Sequence, residues 1–319
     1  MHVVVTGAAG FIGSHTCERL VALGHRVTGL DVFDDYLYDA GIKRENARAL
    51  SRLRSDRFNL IEGDICDRAT IARVIDGDVD VVCHLAALAG VRPSLAEPLR
   101  YLRTNIEGTG VIIERMRELA LTRLVFASSS SVYGAKPGVT EAFREDDPCI
   151  TPASPYAATK RMNELQLSAY RDLFGLGVFA LRFFTVYGPR QRPDMAIAKF
   201  TKAISRGEPI TVFGDGSSRR DYTFIDDIVA GVVAAIERIT PGVYEIYNLG
   251  GTVTISLGEL IETIETIVGK RAVIERKPDQ PGDVPITFAN VERARAALGY
   301  QPTTRPEVGI RRYWESLGS

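Results

Sequence analysis

Near the start of the chain an apolar run, Val3-Val4-Val5, ends at Thr6 and gives way to Gly7-Ala8-Ala9-Gly10-Phe11-Ile12-Gly13, after which apolar residues recur at helical spacing to about Leu23. An apolar run without alternation suits a strand buried on both faces, as in a parallel sheet. The glycines permit a tight turn and let the backbone approach a pyrophosphate, whose charge then meets the N–H groups at the start of the helix. Gly24 ends that helix, and a second strand, Arg26 to Leu30, finishes at Asp31. Strand, glycine turn, helix, strand and acid, in that order, are the context of a dinucleotide fingerprint, with Gly7, Gly10, Phe11, Ile12 and Gly13 as the phosphate cradle. Asp31 is placed to accept from both ribose hydroxyls and to repel a 2′-phosphate, which favours NAD over NADP unless basic neighbours soften the repulsion. The competing reading is a tight turn followed by a surface aspartate.

Strand patterns continue near Asn59 to Glu62, Val79 to His84, Leu124 to Ala127 and Val178 to Phe183, each preceded by a helical segment. The alternation predicts an α/β fold, a doubly wound parallel sheet. Ligands in such sheets sit at the carboxyl ends of strands. Asp64 and Ile65 follow the third strand, where an adenine amino group can be held. Leu85, Ala86 and Ala87 follow the fourth and are small enough for a cofactor to lie against the backbone. Beyond about Phe184, Gly-Pro and Arg-Pro punctuation, including Pro281-Gly282, breaks the chain into shorter segments, with helices near Met195 to Arg206, Asp226 to Arg238 and Leu257 to Val268. Residues 1–183 therefore read as the dinucleotide-binding domain and 184–319 as a smaller substrate-binding lobe, with a late strand near 244–250 that can return to the sheet.

Tyr156 and Lys160 stand four apart in Tyr156-Ala157-Ala158-Thr159-Lys160. On a helix they share a face, and the ammonium can bias the phenol toward phenolate, making a base. An ordinary surface helix has the same spacing. The run Ser128 to Ser131 follows the Leu124–Ala127 strand and opens on the same edge. Two basic pairs, Arg190 with Arg192 and Arg219 with Arg220, either converge on an anionic ligand or form a solvated loop face.

A net charge of −1 supplies no field that would gather nucleic acid or an anionic membrane, so the partner is expected to be small. Met1 leads straight into a strand with no secretory signal pattern, and the apolar run near Ile228 to Ile236 is too short to span a bilayer, so a cytoplasmic protein is expected. Cys17, Cys66, Cys83 and Cys149 lack metal-ligand spacing and read as buried thiols. The four histidines show no partner spacing either, and no metal is expected.

Over essentially its whole length the chain resembles the extended short-chain dehydrogenase/reductases, and among them the UDP-glucuronate 4-epimerases. The resemblance is carried by residues 6–15, 34–39 (Asp34-Asp35-Tyr36-Leu37-Tyr38-Asp39), 89–92, 128–134, 156–160 and, most specifically, by 182–195. It implies a Rossmann domain with bound NAD, and Ser129, Tyr156 and Lys160 as the catalytic set. Tyr156 would take the C4 hydroxyl proton, Ser129 would bond the same oxygen, and Lys160 would hold the nicotinamide ribose. Hydride would pass from C4 to NAD, and the 4-keto sugar would turn and take it back on the other face. Arg92, Ser130, Ser131, Thr185 and Arg192 are implied at the sugar, Arg220 and Asp283 at the diphosphate and ribose of UDP, and Lys199, Val212 and Phe213 at the uracil. Thr185, Gln280 and Arg192 match the glucuronate branch. The serine run holds no carboxylate for a dehydratase. A homodimer is also implied. The alternatives are another UDP-sugar 4-epimerase, a UDP-glucuronate decarboxylase or, outside enzymes, a nucleotide-sensing binding protein.

Overall fold

The structure is a computed structural model and describes residues 1–53, 56–134, 141–251, 253–278 and 286–318. The apolar run lies in β1 (His2–Thr6), followed by α1 (Phe11–Ala22), β2 (Arg26–Asp31), α2 (Ala40–Leu50), β3 (Phe58–Glu62), α3 (Arg68–Val74) and β4 (Val81–His84). Two short helices, α4 (Val91–Ala96) and α5 (Pro98–Leu102), lead through a π-turn at Arg103–Glu107 into α6 (Gly108–Glu118), β5 (Arg123–Ser129), α7 (Pro155–Phe174) and β6 (Gly177–Phe183). The C-terminal part contains β7 (Thr185–Tyr187), α8 (Ala196–Arg206), β8 (Pro209–Phe213), β9 (Arg219–Phe224), α9 (Ile225–Arg238) and β10 (Tyr244–Leu249). It ends with β11 (Thr254–Ser256), α10 (Leu257–Val268), β12 (Val273–Lys277), β13 (Ile286–Thr287), α11 (Glu292–Leu298) and α12 (Pro306–Ser316).

Seven strands pair in parallel in the order β10-β6-β5-β4-β1-β2-β3. Along β1, Val3 and Val5 join the core on one face of the sheet while Val4 joins the core on the other. That is the physical reason the run does not alternate. The chain reverses its direction of sheet growth between β1 and β4, and the loops leaving these two strands frame a crevice.

Several boundaries differ from the sequence reading. Val79 lies outside β4 because its N–H turns onto the Asp76 carbonyl. β5 runs on through Ser128 and Ser129, paired with Arg182 and Phe183, so the first half of the serine run is strand. The late strand expected near 244–250 is β10, which pairs with β6, and α9 packs on α1 and against β5 and β6. The cause is the apolar face of α9, where Ile228, Val232, Ala235 and Ile236 are fully enclosed. The remaining C-terminal strands form two small sheets, β9 with β7, β11 and β13, and β8 with β12. Cys17, Cys83 and Cys149 are buried as expected, whereas Cys66 is half-buried, in the turn after Asp64-Ile65. Among the described residues no helix is long and apolar enough to cross a membrane.

Beneath the sheet edge, Glu164 of α7 and Arg182 of β6 form a fully enclosed ion pair, Nε to Oε1 and Nη2 to Oε2, both at 2.9 Å. Ser128 donates to the same carboxylate at 2.7 Å and Arg161 at 3.0 Å. Burial pushes the Glu164 carboxyl up, but Arg182, with Ser128 and Arg161, outweighs it and holds the group below its ordinary range. Arg182→Met strands a buried carboxylate and is expected to cost about 3–5 kcal/mol. Urea unfolding of the single variant against Arg182→Met/Glu164→Met checks this, with the double variant losing less than the single one.

Candidate active site

One cavity of about 950 Å³ follows the carboxyl ends of the sheet strands. The predicted cofactor residues Gly7, Gly10, Phe11, Ile12, Gly13, Asp31, Asp64, Ile65, Leu85, Ala86 and Ala87 all line it. The glycine loop has no room for side chains. Gly7 has φ +71° and a Cβ there would stand 2.9 Å from the Ala86 nitrogen, while one on Gly13 would stand 2.0 Å from the Gly7 carbonyl oxygen. No side chain caps the start of α1, so its first N–H groups are left to a ligand. This cradle, of bare backbone at a helix N-terminus, fits a dinucleotide pyrophosphate. Asp31 is buried and accepts from Ala9 N at 3.0 Å and Phe33 N at 2.9 Å. Burial raises its pKa, opposed by these N–H groups and by Lys43. Lys43 and Tyr38 line the cavity on the same side, and the sequence reading assigned neither of them.

At the other end stand Ser129, Ser130, Ser131, Tyr156 and Lys160. Ser154 caps α7 by accepting from Ala157 N, and Pro155 occupies the first helical position, so Tyr156 lies in the first turn. Burial pushes the Tyr156 phenol up, against the hydrogen bond with Ser129 and the charge of Arg192, which pull it down. The sequence reading gave that second task to Lys160. Its ammonium instead donates to the Ala127 carbonyl at 2.7 Å, and burial lowers its pKa to about 7 against the pull of Glu164.

Asn105 is a further residue the sequence reading missed. Its side chain accepts from Leu88 N at 2.8 Å and donates to Leu88 O and to Thr159 Oγ1, both at 3.0 Å. It thereby ties the cofactor loop after β4 to the turn of α7 between Tyr156 and Lys160. Its partners are scattered along the chain, so no spacing signals it.

Of the predicted substrate residues, Arg92, Thr185, Arg192, Lys199 and Arg220 also line the cavity. Val212 and Phe213 do not: Val212 is enclosed in the core, and Phe213 lies under the Arg92 guanidinium at 5.5 Å. Asp283, Gln280 and the Pro281-Gly282 turn fall outside the described residues. The four arginines do not converge. Arg219 bonds Thr254 and Glu259, and Arg190 donates to both carboxylate oxygens of Glu18 at 2.8 and 2.9 Å. Arg190 sits at φ +64°, and beside it His15 of α1 donates to the Pro189 carbonyl at 3.0 Å. Arg192 is gripped by Asp194, Nε to Oδ1 at 2.9 Å and Nη2 to Oδ2 at 2.6 Å.

Residues 3–250 match the model of the NAD dependent epimerase/dehydratase family. The chain belongs to that family. Among curated members it is 40% identical to a UDP-glucuronate 4-epimerase of Thermodesulfobacterium geofontis, over 98% of this chain and 94% of that one. The UDP-glucuronic acid 4-epimerase of Bacillus cereus, solved with UDP-glucuronic acid and NAD, superposes with a TM-score of 0.91 at 37% identity, covering 100% of this chain and 99% of that one. The UDP-glucose 4-epimerase of Thermotoga maritima, solved with UDP-glucose, gives 0.86 at 30% identity over 100% and 99% of the two chains. This member of the epimerase/dehydratase family is therefore an enzyme of NAD-dependent chemistry on a Rossmann sheet.

A buried ammonium with its pKa at about 7 gives a pH test of the site. Below pH 7 the folded protein carries the full penalty of the charged form; between 7 and the unfolded value near ~10.4 the penalty fades as the folded state releases the proton first. NAD-free wild type is therefore expected to gain stability over Lys160→Met as pH rises from 7, with a slope of at most about 1.4 kcal/mol per pH unit. Urea midpoints of the two proteins between neutral pH and pH ~9 check the sign.

Proposed function

We propose that this enzyme interconverts UDP-glucuronate and UDP-galacturonate through oxidation and re-reduction at C4. The observation that carries the reading is that one cavity is lined both by the dinucleotide cradle and by Ser129, Tyr156 and Lys160, together with Arg192, Ser130 and Ser131. NAD, when bound, would supply the hydride acceptor and donor for this chemistry. Tyr156 takes the proton of the C4 hydroxyl and gives it back. Ser129 bonds the phenol and the reacting oxygen, while Lys160 and Asp31 hold ribose hydroxyls and Asp64 with Ile65 the adenine. Thr185 and Arg92 border the sugar, Arg220 and Asp283 take the diphosphate and ribose, and Lys199 the uracil.

Once C4 is a ketone, a uronate is a β-keto acid and loses CO2 when the breaking C–C bond stands perpendicular to the carbonyl plane. A guanidinium that grips the carboxylate, with two short hydroxyls fixing its rotation, denies that geometry and discriminates against a neutral CH2OH. Arg192, Ser130 and Ser131 have this role. A second reading, epimerisation of a neutral UDP-hexose, is favoured by one observation: Asp194 already neutralises Arg192.

The deciding experiment incubates wild type, Tyr156→Phe and Arg192→His with UDP-glucuronate and with UDP-glucose, and resolves products by chromatography and mass. Wild type is expected to epimerise UDP-glucuronate. Tyr156→Phe retains binding and loses turnover. Arg192→His loses on the order of 2–3 kcal/mol of transition-state binding and releases more decarboxylated 4-keto pentose. Near-native turnover by Tyr156→Phe, or glucuronate activity in Arg192→His with no added CO2 loss, would remove the respective role.

The chain is further proposed to work as a homodimer in the cytoplasm. Leu99 and Leu102, at α5, and Met162 and Leu165, on the neighbouring α7, are exposed apolar side chains on helices that pack together, and a second copy would cover them. Sedimentation equilibrium is expected to give twice the chain mass, with Leu99→Glu/Leu165→Glu shifting it to the monomer; a monomeric wild type ends the assignment.

A further inference from the structure

We infer that Asp194 is an internal counter-ion that sets how strongly this cavity prefers a carboxylate-bearing sugar over a neutral one, by gripping the Arg192 guanidinium before a ligand arrives. The inference rests on the assignment of Arg192 to the sugar carboxylate. A guanidinium offers five N–H donors in a planar fork. Asp194 takes one on Nε at 2.9 Å and one on Nη2 at 2.6 Å, and the Ala89 carbonyl takes one on Nη1 at 3.3 Å. What remains is one N–H on Nη1 and one on Nη2, which an incoming carboxylate can accept. Gly90 borders this end: a Cβ there would be in van der Waals contact with Nη2, at 3.6 Å. Both side chains line the cavity, with 15% of Arg192 and 35% of Asp194 exposed, so the pair lies in a wall where charges are screened less than at an open surface.

Two effects of Asp194 oppose each other. It fixes the fork in one orientation, which reduces the freedom lost when any sugar docks. Its charge also stands one guanidinium away from an incoming carboxylate and repels it. A uronate feels both effects and a neutral hexose only the first. Asp194 therefore narrows the gap between the two sugar classes, and it weakens the hold on an anionic product that must leave. Asp194→Asn removes the charge and keeps one of the two bonds to the fork, because only the amide oxygen accepts.

The test measures Kd of UDP-glucuronate and of UDP-glucose by calorimetry on NAD-loaded wild type, Asp194→Asn and Asp194→Ala, together with kcat and KM for UDP-glucuronate. The ratio of the two Kd values is expected to shift about tenfold toward UDP-glucuronate in Asp194→Asn, a change equivalent to ~1.4 kcal/mol, with the gain appearing in KM and not in kcat. Asp194→Ala shifts the ratio in the same direction but lowers kcat, since the fork is also released. An unchanged ratio, or one that moves toward UDP-glucose, in an enzyme whose wild type epimerises UDP-glucuronate overturns the counter-ion role and leaves the proposed function standing. A wild type that neither binds nor converts UDP-glucuronate overturns both.

Discussion

The Glu164 carboxylate is where the helix that carries the candidate base is fastened to the sheet. It receives Arg182 from β6, Ser128 from β5 and Arg161 from its own helix, all within 3.0 Å. Burying both charges costs heavily in solvation, and the arrangement persists because the bidentate geometry and the added donors satisfy the pair. Its reach extends further. Arg182 also lies over the Tyr133 ring at 4.7 Å and donates to the Glu145 carbonyl, and Tyr133 donates to Asn248 of β10, whose amide in turn binds the carbonyls of Phe143 and Asn290. One enclosed charge pair thus holds together two neighbouring strands, the α7 helix and the segment that returns from the C-terminal half.

Above this foundation the site is built on constraints of a different kind. Ser129 follows Ser128 in the strand, so fixing Ser128 to Glu164 turns the next side chain to the opposite face, toward the cavity. Tyr156 and Lys160 are set by the capped first turns of α7, and Asn105 sets the distance from that helix to the cofactor loop. The phenol is consequently influenced by Ser129 and Arg192, while the ammonium faces the sheet and the buried carboxylate.

What the sequence made legible were features whose physics is local. The glycine loop, the double burial of Val3 to Val5, the alternation that leads to seven parallel strands and the four-residue spacing on α7 each follow from a few neighbouring residues. Side chains alternate along a strand, so in β8 the Val212 side chain turns into the core and only Phe213 faces Arg92, a distinction that the two names side by side do not carry. Nothing in a helical spacing says that a strand carbonyl will claim the Lys160 ammonium. Arg190 pairs with Glu18 across 172 residues, and Asn105 with Leu88 and Thr159; such partners are defined only once the chain has folded.

The Arg190 turn has a bearing on how these enzymes can be recombined. Its left-handed backbone, at φ +64°, is sparsely populated for a side-chain-bearing residue. It is held there by Glu18 and, through the adjoining Pro189 carbonyl, by His15, both on α1, the helix that follows the glycine loop. The segment that presents Arg192 is therefore not a detachable module. Grafted into a relative whose first helix lacks these two anchors, it would carry its arginine without the framework that aims it, so its useful unit of exchange includes α1 as well.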